Sequence, residues 1–196
     1  MVAVADAAGR ILRQAALSQV DLPPFASSAM DGFAVRASET PGELSVAFRV
    51  AAGSPAPEPL PARAAAGIAT GAAVPDGADT VVPVERVVDR GDRVEIPERA
   101  HPGQHIRPRG GDVRAGEVAV EAGTRLGAAQ IGALAAAGVA EVRCSVRPRA
   151  AVLATGSELV APGKKLSRGK IYDSNSWMIR AALSQMGVEP FRIFTL

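Results

Sequence analysis

The stretch Leu22–Arg36 reads L-P-P-F-A-S-S-A-M-D-G-F-A-V-R, and the organisation of the chain can be worked out from it. Pro23 and Pro24 each fix their own φ and favour extended geometry in the residue before them, so a helix cannot run through this start. Asp31-Gly32 follows, with apolar residues on both sides. This pattern is typical of a tight turn that opens a β-hairpin, and we expect strand structure to begin here.

From this stretch to Val120 the chain consists of short β-rich runs separated by Gly, Pro and Asp. Turn signals recur, for example at Pro75-Asp76-Gly77 and at Arg109-Gly110-Gly111-Asp112. The pattern predicts a compact all-β module in which the proline-rich run Gly53–Pro61 is a surface loop. The predicted strands are Phe33–Ala37, Leu44–Ala51, Gly67–Thr70, Thr80–Val88, Arg93–Ile96 and Val118–Val120.

Helical spacing of apolar residues flanks this β-rich region on both sides. Val2–Ala16 has a short helical pattern that Gly9 interrupts, so it is a weak element. Leu126–Gly138 is a clearer helix, and its last glycine is placed to end it. Val139–Val142 then reads as a strand, and we expect this helix and strand to pair with the N-terminal segment.

The last part of the chain has the pattern of a βαβ unit. Ala150–Ala154 is a continuous apolar strand, Ser174 or Asn175 can cap a helix over Trp177–Met186, and Val188–Leu196 is a second strand. Such a crossover joins two parallel strands. Because a parallel sheet normally needs several more strands and helices to cover both faces, we expect the chain to be part of a longer protein.

Composition excludes several classes of function. The formal net charge is only +2, and the basic residues are spread along the chain, so nucleic-acid binding is not favoured. Cys144 is the single cysteine, which excludes an internal disulfide, and its apolar surroundings predict a buried, inert thiol. We see no signal peptide and no apolar run long enough to span a membrane, so the expected location is the cytoplasm.

Four polar side chains stand on glycine-flanked loops, where a backbone can approach a ligand closely. They are Asp31 in M-D-G, Thr70 in I-A-T-G, Asp112 in R-G-G-D-V and Glu158 in A-T-G-S-E-L. For any one of them alone, a turn or cap residue without a function is the favoured interpretation. The two histidines, His101 and His105, lie in a Pro/Gly loop without partners, and a zinc site is not expected.

The string P-P-F-A-S-S-A-M-D-G-F-A-V resembles the signature P-x-F-D-N-S-A-M-D-G-Y-A-V of the molybdopterin molybdenumtransferases, the MoeA and gephyrin E-domain family. Ser28–Gly32, Ala34 and Val35 match it, whereas Ala26 and Ser27 replace the family's Asp-Asn. The resemblance extends in the same order to the other three loops and to Lys170–Asn175, and it covers nearly the entire chain.

The resemblance implies a multidomain α+β and α/β fold. An all-β module at 21–116 would be inserted in a small α/β domain formed by 1–20 and 117–147, which links and dimerises the protein. Residues 148–196 would then be the first βαβ unit of a parallel, three-layer, molybdopterin-binding α/β domain.

The resemblance also implies an enzyme that inserts molybdate into adenylylated molybdopterin and releases AMP. Its site would form between the α/β domain of one subunit and the β domain of its partner in a homodimer. By this analogy Asp31, Thr70, Asp112 and Glu158 are the catalytic residues. The alternative is a non-catalytic dimerisation or scaffold module of the gephyrin type, and we expect this chain by itself to be inactive.

Carboxylates alone would repel molybdate and the nucleotide phosphates, since a like-charge pair in contact costs on the order of 4 kcal/mol at an effective dielectric constant of about 20. An intervening Mg²⁺ removes this repulsion, and we predict Asp31, Asp112 and Glu158 as its ligands.

The lysines that follow Glu158 are candidates for binding the anions, although a solvated basic face is the alternative. They lie between a strand and a helix at the carboxyl end of the predicted sheet, where open α/β folds bind ligands. The predicted substrate- and phosphate-binding residues are Lys164, Lys165, Lys170, Asp173, Ser174 and Asn175.

Overall fold

The computed structural model describes residues 1–188 and the backbone of 191–195, and it shows a mixed, strand-rich protein with few helices. Three short 3₁₀ helices cover Val4–Asp6, Ala37–Glu39 and Val84–Arg86. The strands and helices are β1 Val2–Ala3, β2 Ala16–Leu17, β3 Ser27–Ser28, β4 Gly32–Val35, β5 Gly42–Val50, β6 Ala64–Ile68, β7 Thr80–Pro83, β8 Val88–Asp89, β9 Arg93–Ile96, β10 Ile106–Arg107, β11 Val118–Val120, α1 Ala128–Ala136, β12 Glu141–Val142, β13 Ala150–Ala154, β14 Leu159–Val160, β15 Ile171–Tyr172, α2 Asn175–Gln185 and β16 Phe191–Thr195.

The chain divides into two compact units. The first takes Met1–Ala16, Val120–Ala135 and the chain from Val139 onward, so it is discontinuous in sequence. The second takes Leu17–Ala119 with Ala136–Gly138. Each unit has buried apolar clusters of its own. None of the helices in the described residues is long and apolar enough to cross a membrane.

A six-stranded sheet forms the centre of the second unit, with the strand order β7-β4-β6-β5-β9-β8. β5 and β6 run parallel, and the other neighbours are antiparallel. Every residue of β4 and β6 is buried, because one apolar cluster contains Phe33 and Val35 and another contains Ala34 and Ile68. These two strands therefore carry a core on both faces of the sheet.

The predicted hairpin at Asp31-Gly32 is wrong. β3 pairs with β10, whereas β4 pairs with β6 and β7, so the two strands beside Asp31-Gly32 are not partners of each other. Gly32 has another reason to be glycine: a Cβ built there would lie 2.1 Å from the Val82 carbonyl oxygen of β7. The sequence pattern identified the change of direction but not the partners of the strand.

Most predicted strands of the β-rich region are present with shifted ends. Arg93–Ile96 and Val118–Val120 are confirmed with the predicted bounds. The predicted strand Thr80–Val88 stops at Pro83 and continues as a 3₁₀ turn, since proline has no N–H for the ladder. Gly67–Thr70 is shifted to β6, so Thr70 lies two residues beyond the strand.

The weak helix predicted over Val2–Ala16 is also wrong. β1 pairs antiparallel with β12, and Leu12 forms an isolated bridge with Cys144, so tertiary pairing overrides the helical spacing. Cys144 is half-buried, not buried as predicted, and it packs against the buried apolar cluster that contains Leu12. The predicted helix Leu126–Gly138 is confirmed as α1, and Gly138 follows it with a positive φ of 73°. The helix and β12 pack with the N-terminal segment as predicted, because Leu12, Leu126 and Leu134 share one buried cluster.

The predicted βαβ unit is present. β13 is confirmed with the predicted bounds and pairs in parallel with β16, for example Val152 opposite Ile193, with α2 between them in the chain. α2 begins at Asn175, two residues before the predicted start. Of the predicted strand Val188–Leu196, residues 189, 190 and 196 lie outside the described residues, and Phe191–Thr195 forms β16.

Candidate functional site

Asp31 and Thr70 are brought into direct contact by the pairing of β4 with β6. Gly32 lies opposite Ile68, so Asp31, one residue before β4, and Thr70, two residues after β6, are neighbours. The backbone N–H of Thr70 donates to Asp31 Oδ1 at 2.7 Å, and the Thr70 hydroxyl donates to the same oxygen at 3.0 Å. The backbone N–H first, and then the hydroxyl, hold the pKa of Asp31 below its ordinary value.

The S-S-A-M part of the opening stretch holds this arrangement in place. The buried Ser28 hydroxyl donates to the Met30 carbonyl at 2.6 Å, which closes the turn before Asp31. The Ser28 carbonyl accepts from Gly71 N–H at 2.8 Å, one residue after Thr70. Ser28 therefore ties the loop of Asp31 to the loop of Thr70. Sequence reasoning matched Ser28 to the family pattern but did not assign it this positioning role.

An open groove of about 380 Å³ lies beside Asp31. Its walls come from β4, β5 and β6, from residues next to these strands, and from Val84 after β7 and Asp89 of β8. Most of its lining residues are apolar or glycine. The charged residues that line it are Asp31, Arg49 and Asp89. Sequence reasoning missed Arg49 and Asp89, because nothing in their local strings marks them and only the sheet places them beside Asp31.

Asp112 stands on a loop that folds back against the start of the opening stretch. Its backbone N–H donates to the Leu22 carbonyl at 2.8 Å, and Asp112 Oδ2 accepts a hydrogen bond from Arg107 Nη2. The same loop is held by Asp21, which accepts from Arg109 Nε at 2.6 Å and from Ala115 N–H at 2.9 Å. Asp21 was not predicted as part of this loop.

Glu158 lies on the loop between β13 and β14 in the first unit. Its carboxylate folds over Gly156, where a Cβ would lie 2.7 Å from each carboxylate oxygen. Its backbone carbonyl accepts from Ile171 N–H at 2.9 Å, which begins the pairing of β14 with β15. Glycine at 156 therefore allows the carboxylate to take this exposed position.

The three predicted lysines are exposed on the segment between β14 and β15. Lys170 Nζ donates to the Ser157 carbonyl, so it is tied to the loop of Glu158. The Lys164 carbonyl accepts from the Tyr172 hydroxyl at 2.9 Å, which leaves the ammonium group of Lys164 out of this contact. Lys165 extends into solvent on the same segment.

Asp173, Ser174 and Asn175 lie together at the start of α2, on an open depression of about 300 Å³. The residue that caps the helix is Asp173, whose Oδ1 accepts from Ser176 N–H at 3.1 Å. Ser174 occupies the N-cap position, one of the two predicted, but its side chain makes no capping hydrogen bond. The Ser176 hydroxyl first, and then its N–H, lower the pKa of Asp173, so its carboxylate keeps its charge to a lower pH than an ordinary aspartate does.

The predicted site residues thus form three local groups: Asp31 with Thr70, Asp112 with Arg107, and Glu158 with the lysine segment and Asp173. The first two groups lie in the second unit and the third lies in the first unit. Within the described ranges, no three His, Cys, Asp or Glu side chains are grouped as a metal site would require. The predicted metal ligands therefore remain a prediction, and they fit an ion only if separate groups contribute to it.

Fold and site together define a class: a mixed, strand-rich protein that presents acidic and hydroxyl side chains on glycine-flanked loops. The family model of the MoeA N-terminal region (domain I and II) matches residues 1–138, and the chain belongs to this family. The resemblance identified from the sequence is thereby confirmed.

The relatives that match have one description in common. Molybdopterin molybdenumtransferase of Haemophilus influenzae is 40% identical over 187 residues, which cover 94% of this chain and 46% of that protein. Molybdopterin molybdenumtransferase 2 of Mycobacterium tuberculosis is 42% identical over 193 residues, which cover 95% of this chain and 48% of that protein. The chain spans about half the length of the curated relatives it matches.

Solved structures agree with the family assignment. A crystal structure of the molybdopterin biosynthesis moeA protein from Pyrococcus horikoshii OT3 matches with a TM-score of 0.86 and 34% identity, over 99% of this chain and 54% of that one. A second structure of the molybdopterin biosynthesis moea protein, from Pyrococcus horikosii, matches with a TM-score of 0.76 at the same identity, over 99% of this chain and 52% of that one. The mixed, strand-rich fold is therefore that of these proteins.

Proposed function

We propose that this protein works in molybdenum cofactor biosynthesis as a molybdopterin molybdenumtransferase, inserting molybdate into adenylylated molybdopterin with release of AMP. Two relatives with that enzyme name match 94% and 95% of this chain, at 40% and 42% identity. The observation in this molecule that supports the proposal most is the Asp31–Thr70 pair, since two donors hold one carboxylate oxygen and leave the second oxygen to a ligand.

The proposed domain arrangement follows the family. Residues 1–20 and 117–147 form a linker and dimerisation domain, 21–116 form an inserted β-rich domain, and 148–196 begin the molybdopterin-binding α/β domain. The second unit, which takes Leu17–Ala119 and contains the six-stranded sheet, supports the inserted β-rich domain. The boundary at 148 follows from the family alone, because the first unit holds the chain from Val139 onward together with the N-terminal segment. We propose a cytoplasmic homodimer, in which each β-rich domain contributes Asp31, Thr70 and Asp112 to the α/β domain of the partner.

The carboxylates differ in how well they suit a Mg²⁺ ion. Within the described part of the chain, Asp31 Oδ2 accepts no hydrogen bond and the Glu158 carboxylate is exposed, so both can offer an oxygen ligand. Asp112 already accepts from the Arg107 guanidinium, which makes it the weaker ligand of the three. When bound, Mg²⁺ would neutralise phosphate charge and polarise the phosphoanhydride so that AMP can leave.

The chain's own residues have positioning roles in this reaction. The lowered pKa of Asp31 means that its carboxylate keeps its charge to a lower pH than an ordinary aspartate does. Its tie to Thr70 fixes the direction of Oδ2. At the other group, the N-terminal end of α2 with Ser174 and Asn175 offers polar groups to a phosphate. Lys164, Lys165 and Lys170 supply positive charge on the exposed segment between β14 and β15.

The test compares Mg²⁺-dependent AMP release by the full-length gene product with that of its Asp31→Asn and Glu158→Gln variants. We expect both variants to lose at least about tenfold in rate, since each removes a charged oxygen from the proposed site. Wild-type rates in both would discard the proposal. The 196-residue chain alone should release no AMP, and turnover by it would contradict the proposal that further residues are needed.

A further inference from the structure

The groove beside Asp31 has two negative side chains and one positive side chain among its described lining residues. The negative side chains are Asp31 and Asp89, and the positive one is Arg49. Oxyanions that enter this groove meet two carboxylates, so their binding depends on where the guanidinium is held. Arg49 plays no part in the function proposed above, and its position needs a separate explanation.

Three neighbouring strands determine the position of Arg49. Phe33 lies opposite Gly67 across β4 and β6, and Gly67 lies opposite Arg49 across β6 and β5, so the three residues form one row. A Cβ on Gly67 would lie only 2.9 Å from Arg49 Cγ. Because glycine leaves this space open, the Arg49 side chain crosses over β6, and its guanidinium carbon lies 5.6 Å from the centre of the Phe33 ring.

The guanidinium is held on its other side by Asp89. Arg49 Nη2 donates to Asp89 Oδ2 at 3.1 Å, while Asp89 Oδ1 accepts from Gly91 N–H at 2.8 Å. The Gly91 N–H and then Arg49 hold the pKa of Asp89 below its ordinary value, as expected for a carboxylate that accepts hydrogen bonds in its charged form. The contact uses one of the five N–H donors of the guanidinium, and 58% of the Arg49 side chain remains exposed.

We propose that Arg49 is an oxyanion-binding residue of this groove, donating paired hydrogen bonds to a phosphate- or molybdate-type group brought beside Asp31. The proposal rests on the proposed function and deepens it by naming a contact for its anionic substrates. A guanidinium suits this role because its planar donors match two oxygens of a tetrahedral anion. The Phe33 ring behind it and the Asp89 carboxylate beside it orient the remaining donors before a ligand arrives.

The test titrates the 196-residue chain with AMP, with molybdate and with adenosine, each in the presence of Mg²⁺, and follows the backbone amide signals of Gly67 and Arg49 by NMR. We expect AMP, molybdate or both to shift these signals, and adenosine, which has no anionic group, to leave them unchanged. Comparing the shifts caused by AMP with those caused by molybdate shows whether a nucleotide phosphate or molybdate supplies the oxyanion. A wild-type chain whose signals respond to neither anion would overturn the proposal.

Arg49→Gln should weaken the binding of the responding anion by about tenfold, the loss typical of one charge-assisted contact. Arg93→Gln is the matched control, because Arg93 is also exposed and makes a single ion pair with Glu43 on the same sheet, outside the groove lining. It should bind as the wild type does. Equal weakening in both variants would show a general charge effect and overturn the proposal.

Gly67→Ala keeps the charge of Arg49 but removes the space through which the side chain reaches Phe33. We expect it to weaken anion binding as Arg49→Gln does, while the other amide signals of the sheet keep their folded dispersion. Unchanged anion affinity in Gly67→Ala would contradict the claim that the space at Gly67 positions the Arg49 guanidinium for binding. Normal affinity in Arg49→Gln together with loss of AMP release in Asp31→Asn would reject this inference alone and leave the proposed function standing.

Discussion

At the scale of single residues, the most important arrangement is at Asp31 Oδ1, which accepts two hydrogen bonds from Thr70. Asp31 is exposed, so its lowered pKa comes from the two hydrogen bonds of Thr70 and not from burial. The backbone N–H makes the larger contribution, and it is present whatever side chain stands at position 70. The hydroxyl adds direction, since it approaches the same oxygen and leaves Oδ2 open.

Thr70→Val removes the hydroxyl donor and keeps the backbone donor. We expect the pKa of Asp31 to rise from its wild-type value and still to remain below that of an ordinary aspartate, about 3.9. A pH titration of the Asp31 carboxyl carbon by ¹³C NMR measures both. Thr70→Ser, which keeps a hydroxyl, should titrate like the wild type, and an unchanged titration in Thr70→Val would show that the hydroxyl contributes nothing.

The same titration determines how Asp31 affects stability at low pH. Because its pKa is lower in the folded state than in the unfolded chain, Asp31 stabilises the fold fully above the unfolded pKa. This contribution is lost as the pH falls through the folded pKa. In Thr70→Val the contribution should be smaller and should disappear at a higher pH, which urea unfolding at a series of acidic pH values would detect.

At the scale of secondary-structure elements, glycine determines how closely the strands approach. β4 has neighbours on both sides, and Gly32 faces the backbone of β7 so closely that no Cβ fits between them. In the next row, Gly67 makes room for a side chain instead, that of Arg49. Both glycines therefore serve packing, and neither has a positive φ.

Gly32→Ala should destabilise the six-stranded sheet by about 1–3 kcal/mol or more, because the new Cβ would lie 2.1 Å from the Val82 carbonyl oxygen and the strands would have to move apart. Urea unfolding measures the change. Gly132→Ala in α1 is the control, since no atom lies within 4 Å of its added Cβ, and alanine favours a helix by about 1 kcal/mol. Equal effects of the two substitutions would contradict this account of the sheet.

At the scale of the whole molecule, the chain has two units that each bury apolar residues of their own. Leu134 is fully buried in the cluster of the first unit, and Leu60 is almost fully buried in a cluster of the second. The cluster around Leu134 consists of residues of the first unit, and the cluster around Leu60 consists of residues of the second. Such an arrangement allows each unit to lose stability by itself.

Leu134→Ala should cost about 2–5 kcal/mol and should speed amide hydrogen exchange in α1 and β12 much more than in β4 and β6. Leu60→Ala is the reciprocal variant, and we expect the opposite distribution of exchange. Hydrogen exchange followed by mass spectrometry on both variants makes the comparison. A uniform increase over the whole chain in either variant would show that the two units unfold as one.

Several parts of this fold could be predicted because local pattern and tertiary environment agree. Arg93–Ile96 alternates polar and apolar residues, as expected of a strand with one buried face. Ala150–Ala154 is the apolar run typical of a parallel strand. The helix predicted over Val2–Ala16 is wrong because this segment pairs with distant residues instead. The local spacing of apolar residues carries no information about such pairing. The hairpin at Asp31-Gly32 failed for the same reason, since the partners of β4 lie about 35 and 50 residues away along the chain.

The family, the βαβ unit and the loops that carry Asp31, Thr70, Asp112 and Glu158 could all be identified from the amino-acid sequence, because they depend on residues that are close together in the chain. The hydrogen bond from Thr70 to Asp31 and the position of Arg49 in the same groove became visible only in the folded chain. The physical reason is that hydrogen bonds and ion pairs act over a few ångströms of space, and strand pairing determines which distant residues come that close.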